Sequence, residues 1–403
     1  MDAILFIETP QYGSASEAFK AAYEMGLQSI AITKRNYLFH NTDLLSFIHR
    51  VIFMEEIHEA SIKKEISELL SSGYHIRAII SFVDPYVSLA AELSNEYCNS
   101  SISTQALRCM ENKLFVREKL RGNRATIDFV QLNEVRDFES FVNDRFPKVM
   151  KSTLSNGSKG VRFIENKAEI VEVWRKMLQK FPKHPLILED YVEGEQYVVE
   201  LIVIQRNPII VSVIKQEIER NVSFIVTAYD VLIEMDPSFY KELRQTVHSI
   251  VEDIGLTNGA CHMELRFCSG QWKLIEMNPR IAGGAMNKMI ESAFGIHLVK
   301  ETISLYLGNE PDVLWKWVRP VHTTFITVQH CGELLKVEGV EEAKKCPSVI
   351  DVHVKPAVGT ILMPAVSMGQ RYGYVMAEGK TAEEAKENAD RAVALIKFYI
   401  DPI

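Results

Sequence analysis

The chain has 403 residues, which is enough for roughly two to three domains that each bury a sizeable core. Its 53 acidic and 45 basic side chains give a formal net charge of −8, which argues against a general nucleic-acid binder. There is no bilayer-length apolar run, no signal-peptide pattern and no CxxC pair among the six cysteines, so we expect a cytoplasmic protein without nucleic-acid or membrane partners.

The first hundred residues alternate apolar strand patterns with amphipathic helix patterns. Strands are predicted over residues 3–8, 29–33, 51–54 and 77–83, and helices over 14–25 and 59–70. This alternation predicts a parallel sheet covered by helices, that is, an α/β lobe over residues 1–100. The turn that follows the first predicted strand is not a G-x-G-x-x-G, so a nicotinamide-type site has little support.

The rest of the chain changes its pattern twice. Residues 101–185 predict a small unit with helices over 111–120 and 170–181 and strands over 125–131, 149–151 and 161–164. Residues 186–310 are richer in strands, predicted over 186–188, 197–205, 208–215, 260–268 and 272–277. Residues 311–403 predict a separate α+β unit that ends in an amphipathic helix over 381–399.

A first chemical signal is a lysine at a predicted strand end. Lys151 is followed by a glycine- and serine-rich loop over residues 155–160. Such a loop can direct backbone N–H groups at phosphate oxygens while the lysine supplies the countercharge. The spacing is not that of a Walker A loop. A flexible hairpin tip explains the loop equally well when it is considered alone.

A second signal is a predicted hairpin that carries Glu264 on one strand and Glu276 on the other. Asn278 is two residues beyond Glu276 and therefore shares its face of the strand. Two carboxylates and an amide oxygen suit Mg²⁺, and Arg280 can hold an anionic group beside them. A solvated acidic hairpin would not explain why these groups cluster. A weaker third signal is the acidic connector 189–196, which can meet a nucleotide or be an exposed turn.

Taken in order, these segments resemble the ATP-grasp superfamily over nearly the whole chain. The stretches 259–264, 278–286, 351–354 and 373–379 are similar to those of bacterial L-amino acid ligases, which make dipeptides. The resemblance implies that ATP phosphorylates the carboxylate of one amino acid, that the amine of a second attacks the acyl phosphate, and that ADP and phosphate are released. It also implies an ATP-grasp small (lid) subdomain over 101–185 and a large subdomain with the metal site over 186–310.

The resemblance further implies roles for individual residues. Arg280 would be catalytic, and ATP would be held by Lys113, Lys151, Ser158, Glu189, Asp190, Tyr191, Val192 and Gln196. The metal ligands would be Glu264, Glu276 and Asn278, holding two Mg²⁺ ions or, alternatively, Mn²⁺. Gly283 and Gly284 would contact the substrate. From position alone, His262 can face the same site or be a satisfied structural histidine. Pro85, at the end of the strand predicted over 77–83, can line the substrate pocket or begin the next helix. The partners expected are small-molecule amino acids, with a homodimer as an arrangement to test.

Two departures and two rival functions remain. The family usually has glutamate where this chain has Gln196, and some ligases carry an acidic residue and a histidine in the segment that here spans residues 224–230. The first rival is an ATP-grasp ligase for a non-amino-acid carboxylate or another acceptor. The second is a non-catalytic ATP-binding module, which the complete set of metal ligands and Arg280 argues against.

Overall fold

The N-terminal sheet is parallel, as the sequence predicts. The computed structural model describes residues 1–8, 13–36, 42–134, 137–138, 141, 146–155, 157, 159–220 and 224–403. Strands β1 (Asp2–Ile7), β2 (Gln28–Thr33), β3 (Arg50–Phe53) and β4 (His75–Ile80) lie in the order β3-β2-β1-β4. The helices of this region are Ser14–Glu24, Thr42–Leu45, Glu59–Ser71 and Val87–Tyr97.

Both faces of this sheet are buried, which explains its continuous apolar strands. Ile4 and Phe6 of β1 pack in one core with the helix Ser14–Glu24. The alternate residues, Ala3 and Leu5, pack on the other face with the helices that follow β3 and β4. Successive side chains of a strand point to opposite faces, so an all-apolar strand requires helices on both sides.

A second, antiparallel sheet, called the small sheet below, is formed by the residues that follow. It contains β5 (Phe129–Leu132), β6 (Lys148–Ser152), β7 (Val161–Ile164) and β8 (Leu186–Asp190), in the order β5-β8-β6-β7. The helix Ile170–Lys180 covers one face, where its Ile170 and Met177 pack on Met150 and Leu188. Two short helices, Thr104–Met110 and Lys113–Lys119, precede this sheet in the chain.

The remaining strands build an eight-stranded sheet, called the large sheet below, and a three-stranded sheet. They are β9 (Glu195–Ile204), β10 (Asn207–Arg220), β11 (Phe224–Val231), β12 (Gly259–Cys268), β13 (Gln271–Asn278), β14 (Val321–Ile326), β15 (Gly332–Glu338), β16 (Val349–Val354), β17 (Ile361–Leu362), β18 (Gly373–Glu378) and β19 (Lys397–Pro402). The large sheet has the order β13-β12-β9-β10-β11-β14-β18-β16, and the three-stranded sheet has the order β17-β15-β19. The helices are Pro237–Ile254, Met286–Phe294, Leu298–Tyr306, Val340–Lys344 and Ala382–Val393.

The hairpin of β12 and β13 sets the register of the acidic residues. Its two-residue turn consists of Ser269 and Gly270, both with positive φ (50° and 78°), which is the backbone that a tight hairpin turn with the native twist requires. Glu264 and Glu276 lie on adjacent strands, as the sequence predicts. A β-bulge shifts the register between Glu264 and Leu265, and beyond it Glu264 pairs with Glu276 and His262 pairs with Asn278.

Two regions differ from the elements predicted from the sequence: the C-terminal helix is shorter, and a helix in the middle of the chain was not predicted. The final helix ends at Val393, and Lys397–Pro402 is a strand paired with β15, because aromatic and β-branched residues favour a pleated surface. The strand predicted over 125–131 begins only at Phe129. The helix Pro237–Ile254, missed above, has the expected boundary residues, an Asp236 cap and Gly255 in the left-handed region. Among the described residues, no helix combines the length and apolar character that crossing a bilayer requires.

Candidate active site

A cavity between the small antiparallel sheet and the large sheet collects most of the predicted site residues. The small sheet contributes β6 and β8, and the large sheet contributes β9 to β13. The predicted residues that line it are Lys151, Glu189, Asp190, Tyr191, Val192, Gln196, His262, Glu264, Glu276, Asn278 and Arg280. Ser158 lies outside the described residues. Lys113, Pro85, Gly283 and Gly284 do not line the cavity, and their positions are given below.

A buried charge network lies on the small-sheet side. Arg117 Nε donates to Glu189 Oε1 at 2.6 Å, and Lys151 Nζ lies 2.7 Å from Glu189 Oε2. Burial alone would raise the pKa of Glu189, but the two cations lower it overall, so the carboxylate is ionised. The carboxylate of Glu189 thus holds Lys151 in place, and a nucleotide contact from this residue would have to come from its backbone.

Lys113 connects the hairpin of β12 and β13 to the glycine- and serine-rich loop after β6. It begins the helix Lys113–Lys119, whose N-cap is the Asn112 side chain. Its Nζ lies 3.2 Å from Glu276 Oε1 and donates to the Ser155 carbonyl at 2.7 Å. A Cβ on Gly160 would come within 2.0 Å of Ser155 Oγ, so the loop can close this tightly only with glycine there.

The end of the cavity beside the connector after β8 has an apolar wall. Ile127, Val149 and Ile275 line it beside the connector residues Tyr191 and Val192. An apolar slot between strands, with backbone groups of a connector at its edge, is the environment that a purine base requires. Asp190, the last residue of β8, accepts a hydrogen bond from the buried Lys148.

Gln196 is engaged by protein side chains. Its Nε2 donates to Gln216 Oε1 at 2.8 Å and to Glu264 Oε2 at 2.9 Å, and its Oε1 accepts from Arg266 Nε at 2.9 Å. The Arg266 guanidinium in turn lies 5.0 Å from the Tyr191 ring centroid. Both amide hydrogens of Gln196 are therefore directed at partners within the chain. A ribose contact by this residue stays a prediction.

The two glutamates of the hairpin form an electrostatically strained pair. Burial, and then the charge of Glu276, raises the pKa of Glu264 to about 7. Burial acts in the same direction on Glu276, but Lys113 and Lys151 outweigh it and lower its pKa. A divalent cation would relieve the repulsion between two adjacent buried carboxylates.

The donor set fits Mg²⁺. No group of three or more His, Cys, Asp or Glu side chains suited to a metal occurs among the described residues, so a cation here would be held by the two carboxylates, Asn278 and oxygens of the nucleotide. Mg²⁺ is commonly bound in this way, by one or two carboxylates together with substrate phosphates.

His262 fixes the orientation of the Asn278 amide. Its Nδ1 lies 2.7 Å from the Arg280 carbonyl, which can only accept, so Nδ1 carries the proton. Burial lowers the pKa of His262 to about 4, so the ring is neutral and its Nε2 is an acceptor. Asn278 Nδ2 donates to this Nε2 at 3.1 Å. The hydrogen-bond network therefore assigns Asn278 Oδ1 to the side of the carboxylates, where a cation needs an oxygen.

Replacing His262 with leucine is expected to weaken Mg²⁺ binding, because the Asn278 amide loses the partner that orients it. Loss of such an orienting contact typically costs about 10–100-fold in metal affinity. The measurement is ADP release at saturating ATP over a range of Mg²⁺ concentrations. His248→Leu, at an exposed position of the helix Pro237–Ile254, is the matched control. An unchanged Mg²⁺ dependence in His262→Leu would show that Asn278 is oriented by other contacts.

The stretch after Asn278 contacts the N-terminal sheet. Arg280 Nη2 donates to Asp84 Oδ2 at 2.8 Å, whereas Pro85, the residue predicted there, is only its neighbour in the chain. Gly283 and Gly284 approach the start of the helix Ser14–Glu24, since a Cβ on Gly13 would come within 3.0 Å of the Gly284 nitrogen. These glycines thus lie at the contact between the N-terminal lobe and the hairpin.

Sequence reasoning missed three residues that organise the site. Arg117 is four residues after Lys113 and therefore on the same helix face, a spacing that could have pointed to it. Asp84 follows β4 at the carboxyl edge of the parallel sheet, where such sheets bind ligands. Arg266 is two residues after Glu264 on the same strand face. None of these spacings is specific enough on its own.

Two families of known domains match this chain. Residues 144–288 match the family described as ATP-grasp domain. Residues 324–401 match the family described as L-amino acid ligase C-terminal domain 2. The first match covers β6, β7 and β8 and the hairpin of β12 and β13, and the second covers most of the C-terminal strands.

Several known proteins are similar to the chain at low identity. Dapdiamide A synthase of Enterobacter agglomerans is 24% identical over 59% of this chain and 58% of its own length. The L-arginine-specific L-amino acid ligase of Bacillus subtilis is 21% identical over 72% of each chain. The crystal structure of an L-amino acid ligase from Bacillus licheniformis has the same fold, with a TM-score of 0.84 at 19% identity, and covers 99% of both chains. The match to the first of these relatives thus spans little more than half of that protein.

Proposed function

We propose that this chain joins two L-amino acids into a dipeptide through an aminoacyl phosphate, releasing ADP and phosphate. The match of residues 144–288 to an ATP-grasp domain supports the use of ATP for this reaction. The superfamily and the fold class predicted from the sequence are confirmed. The same domain match and the low-identity relatives support the coarser assignment to ATP-grasp carboxylate–amine ligases that use ATP and Mg²⁺. The observation that carries the finer proposal is the match of residues 324–401 to an L-amino acid ligase domain, in a chain whose cavity combines two buried carboxylates with Lys151 and Arg280.

The first step needs positive charge around the transferring phosphoryl group. Phosphoryl transfer depends on positioning and charge neutralisation rather than on a protein nucleophile. Lys151 is held by Glu189 at 2.7 Å with its ammonium lining the cavity, and Lys113 lies 3.2 Å from Glu276. Bound Mg²⁺ would supply further neutralisation of phosphate charge, held by Glu264, Glu276 and Asn278.

The second step is attack of an amine on the acyl phosphate. The reaction passes through a tetrahedral state with a negative oxygen, which Arg280 is placed to stabilise from the edge of the metal hairpin. The loop from Ser155 to Gly160, tied to Lys113 through the Ser155 carbonyl, would cover the phosphates and exclude water from the intermediate.

We further propose that the chain is organised in the units 1–100, 101–185, 186–310 and 311–403.

A second candidate has a specific observation in its favour. Val226 and Tyr229 line the cavity on β11, and Arg371 Nη1 donates to the Tyr229 hydroxyl at 3.3 Å. This part of the described wall therefore presents an apolar side chain and a nearby cation rather than a carboxylate for an α-ammonium group. Such a wall would accept an acid without a free amine, so the acyl donor could be a non-amino-acid carboxylate.

One experiment separates these candidates. The protein is incubated with ATP, Mg²⁺ and all pairs of the common amino acids. In a second panel, simple carboxylic acids and N-acylated amino acids are each paired with free amino acids. ADP is quantified and products are identified by mass spectrometry, with reactions that lack either component as controls. A dipeptide mass formed together with ADP supports the proposal, and amide products from the second panel alone support the second candidate. Tight ATP binding without substrate-dependent turnover in either panel would favour a non-catalytic ATP-binding module.

A further inference from the structure

Asp84 of the N-terminal lobe contacts Arg280, which follows the hairpin of β12 and β13 and lines the proposed active-site cavity. Arg280 donates from Nε at 3.1 Å and from Nη2 at 2.8 Å to the same oxygen, Asp84 Oδ2. The two side chains are largely buried, with exposed fractions of 20% for Arg280 and 11% for Asp84. The pair therefore lies where water weakens an ion pair less than it does at the surface.

The remaining contacts of Arg280 define what its guanidinium can still bind. Nη1 donates to the Ile281 carbonyl at 3.1 Å, and the backbone carbonyl of Arg280 is held by His262. A guanidinium has five N–H groups, of which three are used by Asp84 and Ile281. Within the described part of the chain, one N–H on each terminal nitrogen is left for a ligand. Two such N–H groups form a fork that matches two oxygens of a phosphoryl or carboxylate group.

We propose that Asp84 is a positioning residue that holds the Arg280 guanidinium with this fork directed at the reacting group. The inference rests on the proposed function, because it assigns Asp84 a role in that same reaction. Arginine has several rotatable bonds, and fixing it before the substrate arrives removes an ordering cost from the transition state. Asp84 can do this because it follows β4, whose carboxyl end faces the hairpin, and because the backbone of Arg280 is already anchored by His262.

A purely structural role of the pair makes a different prediction. If the pair only joined the lobes, Asp84→Ala and Arg280→Ala would remove the same contact and would lower the melting temperature and kcat to the same extent. If Asp84 acts through Arg280, Arg280→Ala lowers kcat more than Asp84→Ala does, and the loss of Asp84 has no further effect once the guanidinium is gone. A double-mutant cycle in kcat, read together with the melting temperature of each variant, therefore distinguishes the two roles.

The test uses Asp84→Asn, Asp84→Ala, Arg280→Ala and the double variant Asp84→Ala/Arg280→Ala in the full chain. We expect Asp84→Ala to lower kcat by about 10²-fold with KM for ATP nearly unchanged, since misplacement of a reacting group costs about this much. Asp84→Asn, which keeps the size and one acceptor oxygen, should retain part of the activity. Asp2→Asn is the matched control, because Asp2 forms an ion pair with Arg77 at 2.7 Å in the same lobe, and it should leave kcat unchanged.

The outcome that supports the inference is the loss of the Asp84→Ala effect in the Arg280→Ala background. An equal fold-loss in both backgrounds, or wild-type kcat in Asp84→Ala, would overturn it. A readout independent of turnover is the ¹⁵N spectrum of the arginine side chains, with Arg280→Lys assigning the Arg280 signal. Restricted guanidinium rotation in the wild type and free rotation in Asp84→Ala are expected, and unchanged rotation would also overturn the inference. Failure of the proposed function is recognised separately, as the absence of dipeptide from the wild type.

Discussion

Glu276→Gln is expected to leave the protein folded and to remove most of its ATP turnover. The substitution keeps the size of the side chain but removes the charge that pairs with Lys113 at 3.2 Å and faces Glu264 across the hairpin. Because a metal ion contributes several kcal/mol to neutralising phosphate charge, we expect a loss of at least about 10²-fold. The measurement is steady-state ADP release at saturating ATP and amino acids, with the folded state checked by thermal unfolding.

The control for this prediction is a glutamate of the same sheet outside the cavity. Glu217 of β10 forms an ion pair with Lys386 and does not line the cavity. Glu217→Gln should retain wild-type turnover. Turnover that is unchanged in Glu276→Gln would remove this residue from the site, and turnover restored by added Mg²⁺ would restrict its role to metal affinity.

Arg280→Ala is expected to lower kcat and kcat/KM together, by about 10²–10³-fold. An interaction made chiefly in the transition state appears in both constants and leaves KM nearly unchanged. Arg280 fits this description because it lines the same cavity as Glu276 and Asn278, where in the proposed reaction charge would move from the phosphoryl group to the carbonyl oxygen. ADP release at varied ATP with saturating amino acids measures both constants.

Arg77→Ala, which breaks the ion pair with Asp2 in the N-terminal lobe, is the comparison for Arg280→Ala and should match the wild type in both constants. If Arg280→Ala instead had a normal kcat and a raised KM for ATP, Arg280 would be a nucleotide-binding residue without a role in either transition state.

The parts of the site that are local in the chain could be predicted from the sequence. Glu264, Glu276 and Asn278 lie on one hairpin, and the period of two along a strand decides which side chains share a face. The Ser269–Gly270 turn starts the pairing of these strands, and a β-bulge between Glu264 and Leu265 then brings Glu264 opposite Glu276. The metal ligands predicted from the sequence therefore lie together in the structure.

Contacts between distant segments could not be predicted in this way. Arg117 and Glu189 are 72 residues apart, and Asp84 and Arg280 are 196 apart. Both pairs depend on how sheets and lobes pack, which no local pattern encodes. The same holds for Gln196, whose amide is engaged by residues of β10 and β12 once the large sheet has formed. The C-terminal strand was missed for a related reason, since its pairing with β15 overrides a helical pattern.

In the proposed reaction, the terminal phosphoryl group of ATP is transferred to a substrate carboxylate before the amine attacks. The direct measurement uses an acyl donor labelled with ¹⁸O in both carboxylate oxygens, taken from the pair that gives a product in the screen. One labelled oxygen remains in the new amide, and the other leaves with phosphorus when the amine displaces phosphate. We predict one ¹⁸O in the released inorganic phosphate for each product molecule formed. Phosphate without ¹⁸O, or ¹⁸O found in AMP, would contradict an acyl phosphate intermediate.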